Sequence, residues 1–268
     1  MSNRIQTAFS ALNKKDEKAL IPYIMAGDPT MAVTETLVLE LEQAGADLIE
    51  LGVPFSDPIA DGPVIQKAAE RALRSGTSLN SILTSVKSLR AKTQIPLILM
   101  TYYNTIMAMG EEKFCARCVE AGIDGVIVPD MPPEESDILC QASEKFGGPT
   151  VIFLLAPTST KSRQKDVITR TQGFIYYVSL TGITGAQIRD MQHVQENVQK
   201  IQKASKQPVA VGFGISTPEH VQEVSRFADG VIIGSALVRH IGTYQDRPDS
   251  LEKIRQFVSE LKHNTCRH

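Results

Sequence analysis

Val211-Gly212-Phe213-Gly214-Ile215-Ser216 and Ile233-Gly234-Ser235-Ala236 are the two stretches that decide how this chain folds. Each closes a short β-branched run of the kind that makes a buried strand, Val209–Val211 in the first case and Val231–Ile233 in the second. Each then turns on glycine, and the second opens directly into a segment with helical spacing. Loops without a Cβ let backbone amides approach an anion, and a helix N-terminus adds partial positive charge. The loops after the seventh and eighth strands of a parallel barrel are where that fold holds a phosphate. A lone Gly-x-Gly marks only a tight turn. Two glycine loops at these two positions point to a phosphorylated small substrate, and Gly182 and Gly185 follow the sixth run on the same rim.

Working outward, the same unit recurs along the chain: an apolar β-branched run, a Gly/Pro/Asp loop, then a helix-period segment. The earlier runs lie near Ile21–Met25, Leu48–Leu51, Leu97–Thr101, Val126–Val128, Thr150–Leu155 and Phe174–Ser179. Between the first two, Val33, Leu37, Leu41 and Ala44 recur at helical steps. Gly45-Ala46-Asp47 and Gly122-Ile123-Asp124-Gly125 stand where a helix should stop, with glycine free to take the left-handed cap. Asp28-Pro29 reads as an N-cap followed by a first-turn proline.

Strict alternation of strand and helix implies a parallel sheet with helical crossovers. Eight units predict an α/β fold of the closed (β/α)8 TIM-barrel kind; a doubly wound open sheet is the alternative, and the glycine loops favour the barrel. No Ser/Gly-rich or single-charge tract divides the series. Residues 1–268 therefore read as a single domain with a short extra N-terminal helix.

Composition narrows the function classes. Apolar residues are 42% and charged residues 22%, ordinary globular usage that excludes a disordered or collagen-like chain. A net charge of −2 and a pI near 6.2 leave no basic footprint for nucleic acid or an anionic membrane. Cys115, Cys118, Cys140 and Cys266 are too few and too oddly spaced for a disulfide framework. Met1 to Lys18 lacks the apolar core of a signal peptide. The uncharged stretches Thr93–Gly110 and Thr171–Ile188 are broken by Pro, Asn, Thr or Gly, so neither suits a spanning helix. The expectation is a soluble cytoplasmic protein that binds neither nucleic acid nor membrane.

The chemistry begins in Asp47-Leu48-Ile49-Glu50-Leu51-Gly52-Val53-Pro54. Side chains alternate faces along a strand. Ile49, Leu51 and Val53 form the apolar row that suits the helix-covered face, which leaves Leu48, Glu50 and Gly52 facing the barrel interior. A one-residue shift of register would instead turn Glu50 outward. A carboxyl group inside a barrel is costly unless it is paired, hydrated or protonated. Near the C-terminal end of its strand, it is also where barrel enzymes place catalytic groups. The loop that follows, Pro54 to Pro63, sets Asp57 and Asp61 on that rim. Local turn chemistry alone favours Asp and Pro in such a loop. Two carboxylates, one interior and one on a loop, can also divide the roles of proton donor and charge stabiliser.

Several reactions lose their signatures. No expected strand contains the lysine a Schiff-base aldolase needs. His193, His220, His240, His263 and His268 fall in helical segments or the tail without metal-ligand spacing. No dinucleotide fingerprint follows an early strand. Acid–base catalysis by carboxylates, with no metal and no cofactor in this chain, is what remains. Cys115 and Cys118 have the spacing of a redox or zinc pair, but they sit inside a helix-like segment with no second pair, where free cysteines are packing groups.

Ile49-Glu50-Leu51-Gly52-Val53-Pro54-Phe55-Ser56-Asp57-Pro58, continued by Ala60-Asp61-Gly62-Pro63-Val64-Ile65-Gln66, resembles the signature of the tryptophan synthase alpha subunit family. Gly27-Asp28-Pro29, Tyr102 with Asn104, Val128-Pro129-Asp130-Met131-Pro132, Gly182-Ile183-Thr184-Gly185, Gly212-Phe213-Gly214-Ile215 and Gly234-Ser235-Ala236 extend the resemblance over essentially the whole chain. It implies a barrel that splits indole-3-glycerol phosphate into indole and glyceraldehyde 3-phosphate. It also implies a pyridoxal-phosphate-bearing beta subunit that receives the indole in an alpha2beta2 complex. On the same resemblance Glu50 matches the catalytic glutamate that protonates indole C3. Asp61 matches the aspartate that binds the indole N–H and stabilises the iminium charge. Tyr176 matches the tyrosine beside the glutamate, and Thr184 the loop threonine that closes onto the aspartate. Gly185, Phe213, Gly214, Gly234 and Ser235 match the phosphate side, while Tyr23, Met100 and Ile127 stand where the family lines the indole pocket. Family members commonly carry Phe and Leu at the positions of Tyr23 and Met100.

Two other readings stay open on the residues alone. The proline-bearing loops Phe55–Pro58 and Asp130–Pro133 suit docking as well as catalysis, as in a non-catalytic interaction subunit. A phosphate-binding barrel also fits a sugar-phosphate isomerase. An acidic residue retained in the interior favours an enzyme, because a scaffold gains by replacing it with an apolar one.

Overall fold

The computed structural model describes residues 3–179, 191–212, 214–245 and 247–266. Its strand segments are β1 (Ala19–Met25), β2 (Ile49–Gly52), β3 (Leu97–Met100), β4 (Gly125–Ile127), β5 (Thr150–Ile152), β6 (Leu154–Leu155), β7 (Ile175–Val178), β8 (Val209–Gly212) and β9 (Gly230–Ile233). Every paired neighbour runs parallel, in the order β5-β4-β3-β2-β1-β9-β8-β7-β6. Only Phe153 separates β5 from β6, so the two ends of that order are consecutive pieces of chain and the sheet curls into a barrel. Thr150–Leu155, expected as one strand, is divided because its pairing partner changes at Phe153. The lower half pairs with β4, and the upper half with β7. Strands tilted around a barrel axis hand over from one neighbour to the next in this way.

Alternation along each strand builds two layers. Ile49 and Leu51, with Leu97, Leu99, Val209 and Val211, pack outward under the helices. Leu48, Ile98, Ile127, Ile152, Ala210 and Ile232 fill the lumen. The floor of the lumen is a plug. The helix Arg4–Lys14 buries Ile5, Phe9 and Leu12 against the inner layer, and the Phe9 ring lies 5.7 Å from that of Phe174. Each such side chain contributes roughly 1.5–3 kcal/mol on burial. Asn3 fixes the plug at both ends of its side chain: it accepts from the Ile5 N–H at 3.0 Å and donates to Thr150 Oγ1 at 2.7 Å. The barrel is thus sealed and apolar below, which leaves its upper half for chemistry.

Gly122 ends its helix in the left-handed conformation (φ 87°), as the sequence pattern required. The Asp28-Pro29 reading is corrected. The helix spans Met31–Gln43 and its cap is Thr30, whose hydroxyl accepts from the Val33 N–H at 3.3 Å. Asp28 is buried instead and takes both arms of the Arg71 guanidinium, Nε and Nη2, each at 2.7 Å. A bidentate charged partner outcompetes a single backbone N–H. The pair ties the loop after β1 to the helix Pro63–Arg74, the element that follows the Asp61 loop.

Candidate active site

Glu50 enters the lumen because its strand neighbours Ile49 and Leu51 are committed to the outer layer. The side chain is fully buried (0% exposed), and among the described residues neither carboxyl oxygen has a hydrogen-bond partner. With no partner to offset the loss of water, burial pushes the carboxyl from 4.5 up to about 8. At neutral pH it therefore carries its proton, which is the state a general acid needs.

Two tyrosines share this level of the lumen. Tyr23 on β1 is the direct ladder partner of Glu50, and Tyr176 projects inward from β7. Each leans over a glycine on the adjacent strand. A Cβ on Gly52 would lie 2.0 Å from the Tyr23 hydroxyl, and one on Gly212 would lie 2.5 Å from that of Tyr176. These glycines are required for close approach, since any side chain there would expel the phenol. Burial raises both phenols well above the usual range, and the charge of Glu50 pushes each further the same way. Met100, half-buried, pairs with Gly52 on one side and Ile127 on the other, and both point into the same lumen.

Asp61 is held above this level by the loop between β2 and the helix Pro63–Arg74. Tyr102, two residues past the end of β3, organises that loop. Its ring lies 5.2 Å from Phe55 and its oxygen accepts from the Ala60 N–H at 2.9 Å, which brings the phenol beside Asp61. Gln66 Nε2 adds a bond to the Asp61 carbonyl at 2.8 Å. Burial raises the Asp61 carboxyl, and the Tyr102 hydroxyl works against that shift. Sequence reasoning assigned Tyr102 no role in the site. The available signal was its position at the C-terminal end of a barrel strand, one strand over from Glu50.

The glycine rim sits beside the tyrosine. Gly234 precedes the helix Ser235–Tyr244, whose first intrahelical bond runs from the Val238 N–H to the Gly234 carbonyl at 3.1 Å. The amides of Ser235, Ala236 and Leu237 thus precede the helical ladder, at the positive end of the helix. A Cβ on Gly234 would stand 4.0 Å from that of Tyr23, so this helix start borders the lumen. Gly214 takes a positive φ of 76° just beyond β8. Thr184, Gly185 and Phe213 lie outside the described residues.

The structure therefore brings Glu50, Tyr23, Tyr176, Met100 and Ile127 into one lumen, with Asp61 and Gly234 on its rim. Cys115 and Cys118 are fully buried on the outer side of the sheet, and burial pushes the Cys115 thiol up to about 12. That is the opposite of what a reactive pair requires. Among the described residues no three His, Cys, Asp or Glu side chains gather as metal ligands, and no helix is long and apolar enough to cross a membrane.

A family model described as "Tryptophan synthase alpha chain" matches residues 9–266. The tryptophan synthase alpha chain of Citrifermentans bemidjiense is 51% identical over 260 residues, 97% of each chain. That of Geotalea uraniireducens is 52% identical over 261 residues, again 97% of each. The crystal structure of tryptophan synthase subunit alpha from Legionella pneumophila str. Paris superposes with a TM-score of 0.91 at 37% identity, covering 99% of both chains. A structure of Mycobacterium tuberculosis tryptophan synthase gives 0.91 at 32% identity over 100% of both. With sequence and backbone in agreement along nearly its whole length, the chain belongs to the tryptophan synthase alpha chain family, lyases that cleave indole-3-glycerol phosphate and work with a beta subunit.

Proposed function

We propose that Glu50 is the acid and Asp61 the charge stabiliser in a metal-free retro-aldol cleavage of indole-3-glycerol phosphate. The substrate phosphate rests on the amides around Gly214, Gly234 and Ser235, with Gly185 and Phe213 on the same side. The indole ring lies among Tyr23, Met100, Ile127 and Tyr176. Glu50 gives its proton to indole C3, and the positive charge that appears at the ring nitrogen is balanced by Asp61. The Glu50 carboxylate then takes the hydroxyl proton from the side-chain carbon attached to the ring. The carbon–carbon bond breaks, and its electron pair returns to the ring as indole. The released carbon becomes the aldehyde of glyceraldehyde 3-phosphate. One proton enters and one leaves, so Glu50 ends as it began. The observation that carries this reading is a fully buried lumen carboxyl raised to about 8.

On the same reading the chain is a single cytoplasmic domain without a cofactor of its own. It assembles as an alpha2beta2 tetramer, and the beta subunit holds the pyridoxal phosphate that consumes the indole. Thr184 meets Asp61 when their loops close. Closure of loops that complete a site is a partner-sensitive step, so indole release by the isolated chain is expected to be slow and to rise when beta subunit is added. Assays of free indole with and without the partner check this, and equal rates would remove the gating role of the Thr184–Asp61 contact.

A further inference from the structure

We propose that Arg71 is a positioning residue of this lyase: its guanidinium sets the helix that follows Asp61 against the helix that opens the phosphate cradle, and so fixes the span over which the substrate is gripped. The inference rests on the roles given above to Asp61 and to the amides around Gly234 and Ser235, and it adds what holds those two ends in register. They come from different elements. Asp61 stands just before the helix Pro63–Arg74, and Ser235 opens the helix Ser235–Tyr244. Both helices start at the rim and descend packed against each other.

Their shared contact is apolar and built from small groups. Ala68, Ala69 and Ala72 of the first helix cluster with Val238 of the second and with Tyr23 and Met25 of β1. Methyl groups bring helices close but resist sliding little, whereas a charged fork of fixed geometry specifies a register. Arg71 is that fork. Eight residues below Pro63, about 12 Å down its helix, its Nε and Nη2 each lie 2.7 Å from a carboxyl oxygen of Asp28. The guanidinium also rests on the second helix. A Cβ on Gly242, seven residues and about 10 Å below Ser235, would stand 3.2 Å from Arg71 Nη2. The brace thus meets both helices at nearly the same depth.

The anchor of the fork is itself fixed. Asp28 is 3% exposed, and the residue before it is held from two directions. The Gly27 N–H donates to Thr34 Oγ1 at 2.8 Å, and Ser75 Oγ donates to the Gly27 carbonyl at 3.1 Å. Gly27 turns at a φ of 85° so close to Thr77 that a Cβ would lie 1.9 Å from its hydroxyl oxygen. Asp28 is therefore tied to the end of β1, the strand that pairs with Glu50 through Tyr23. Through Arg71 the Asp61 helix and the cradle helix are both referred to the frame that holds the acid. Arg71 touches no reacting atom and acts by placing Asp61. A misplacement of about 1 Å at a reacting group lowers the rate on the order of a hundredfold.

The test measures indole release by the parent chain, Arg71→Lys, Asp61→Asn and the double variant, with glycerol 3-phosphate, the phosphate-bearing half of the substrate, as competing ligand. Lysine keeps the charge and loses the fork. Arg71→Lys is expected to lower kcat about ten- to a hundredfold, with the inhibition constant of glycerol 3-phosphate changed less than about twofold, because each end of the site stays intact and only their relation shifts. A residue that acts through Asp61 has little left to disturb once that carboxylate is gone. In the Asp61→Asn background the same change is therefore expected to lower kcat less than about threefold. Arg90→Lys removes another guanidinium fork, one that holds Asp124 and the Gly122 carbonyl at the N-terminal end of β4, and is expected to leave kcat within about twofold of parent. Gly242→Ala suits a helix but puts a methyl against the Arg71 guanidinium. It is expected to lower kcat about two- to tenfold, and it decides alone where Arg71→Lys does not fold. A kcat within about twofold of parent in the folded variants overturns the inference. So does a loss of glycerol 3-phosphate affinity as large as the loss of activity, or a full-sized effect of Arg71→Lys in the Asp61→Asn background. Full activity in Asp61→Asn overturns the underlying assignment of Asp61 and the inference with it, whereas an impaired Asp61→Asn beside an unaffected Arg71→Lys overturns the inference alone.

Discussion

Glu50→Gln is expected to release indole at no more than about one hundredth of the parent rate while becoming the more stable protein. The activity loss follows from removing the proton donor while keeping size and carbonyl, and a general acid contributes about 10²–10⁴-fold. The stability gain follows from the same burial. In the folded chain the Glu50 carboxyl ionises near 8, and in the unfolded chain near its ordinary 4.5. Between those values the folded state holds a proton that the unfolded state has released, so stability falls as pH rises through that window and levels off above it. Glutamine has nothing to titrate. The variant's advantage should be near zero at pH 4.5, grow to about 3 kcal/mol at pH 7, and change little beyond pH 8. Urea unfolding of both proteins across this range measures it, and a gap independent of pH would show that Glu50 is not carrying its proton into the neutral range. The native residue thus costs stability for the sake of chemistry, a pattern expected of an active site.

Asp61→Asn is expected to lower kcat by about 10²–10³-fold with little change in KM, the scale for removing one preorganised electrostatic group. Asparagine keeps the size of the side chain, and the loop retains its bonds to Tyr102 and Gln66 because both are made by backbone atoms, the Ala60 N–H and the carbonyl of residue 61. On the proposed reading, what is lost is the negative charge facing the ring nitrogen, and that charge matters only when the nitrogen becomes positive. Steady-state kinetics on indole-3-glycerol phosphate separates the cases. A fall in kcat at constant KM fits charge stabilisation, and a rise in KM alone would reduce Asp61 to a ground-state contact.

The barrel was legible because its code is local. Ile49, Glu50 and Leu51 declare the register of β2 by alternation alone, and the glycines after β8 and β9 declare which end holds the rim. The family signature around Glu50 also reaches the function by resemblance. What stayed hidden depends on contacts between distant segments. Asp28 has the local form of a helix cap, but Arg71, far along the chain, claims its carboxylate. Thr150–Leu155 has the composition of one strand and is divided only because β4 and β7 claim its two halves. Tyr102 acts through Ala60 and Asp61 on another loop. The direction of the Tyr23 ring is set by the missing side chain at Gly52 on the neighbouring strand, which no pattern within β1 records.

The central claim is that Glu50 stands neutral in the lumen at physiological pH. Carbon-13 NMR of the protein labelled at glutamate side-chain carboxyls, with the Glu50 resonance assigned by its absence from Glu50→Gln, reads that state directly. The account expects one carboxyl titrating with a midpoint near 8. A Glu50 resonance that titrates at the ordinary 4.5 would contradict it.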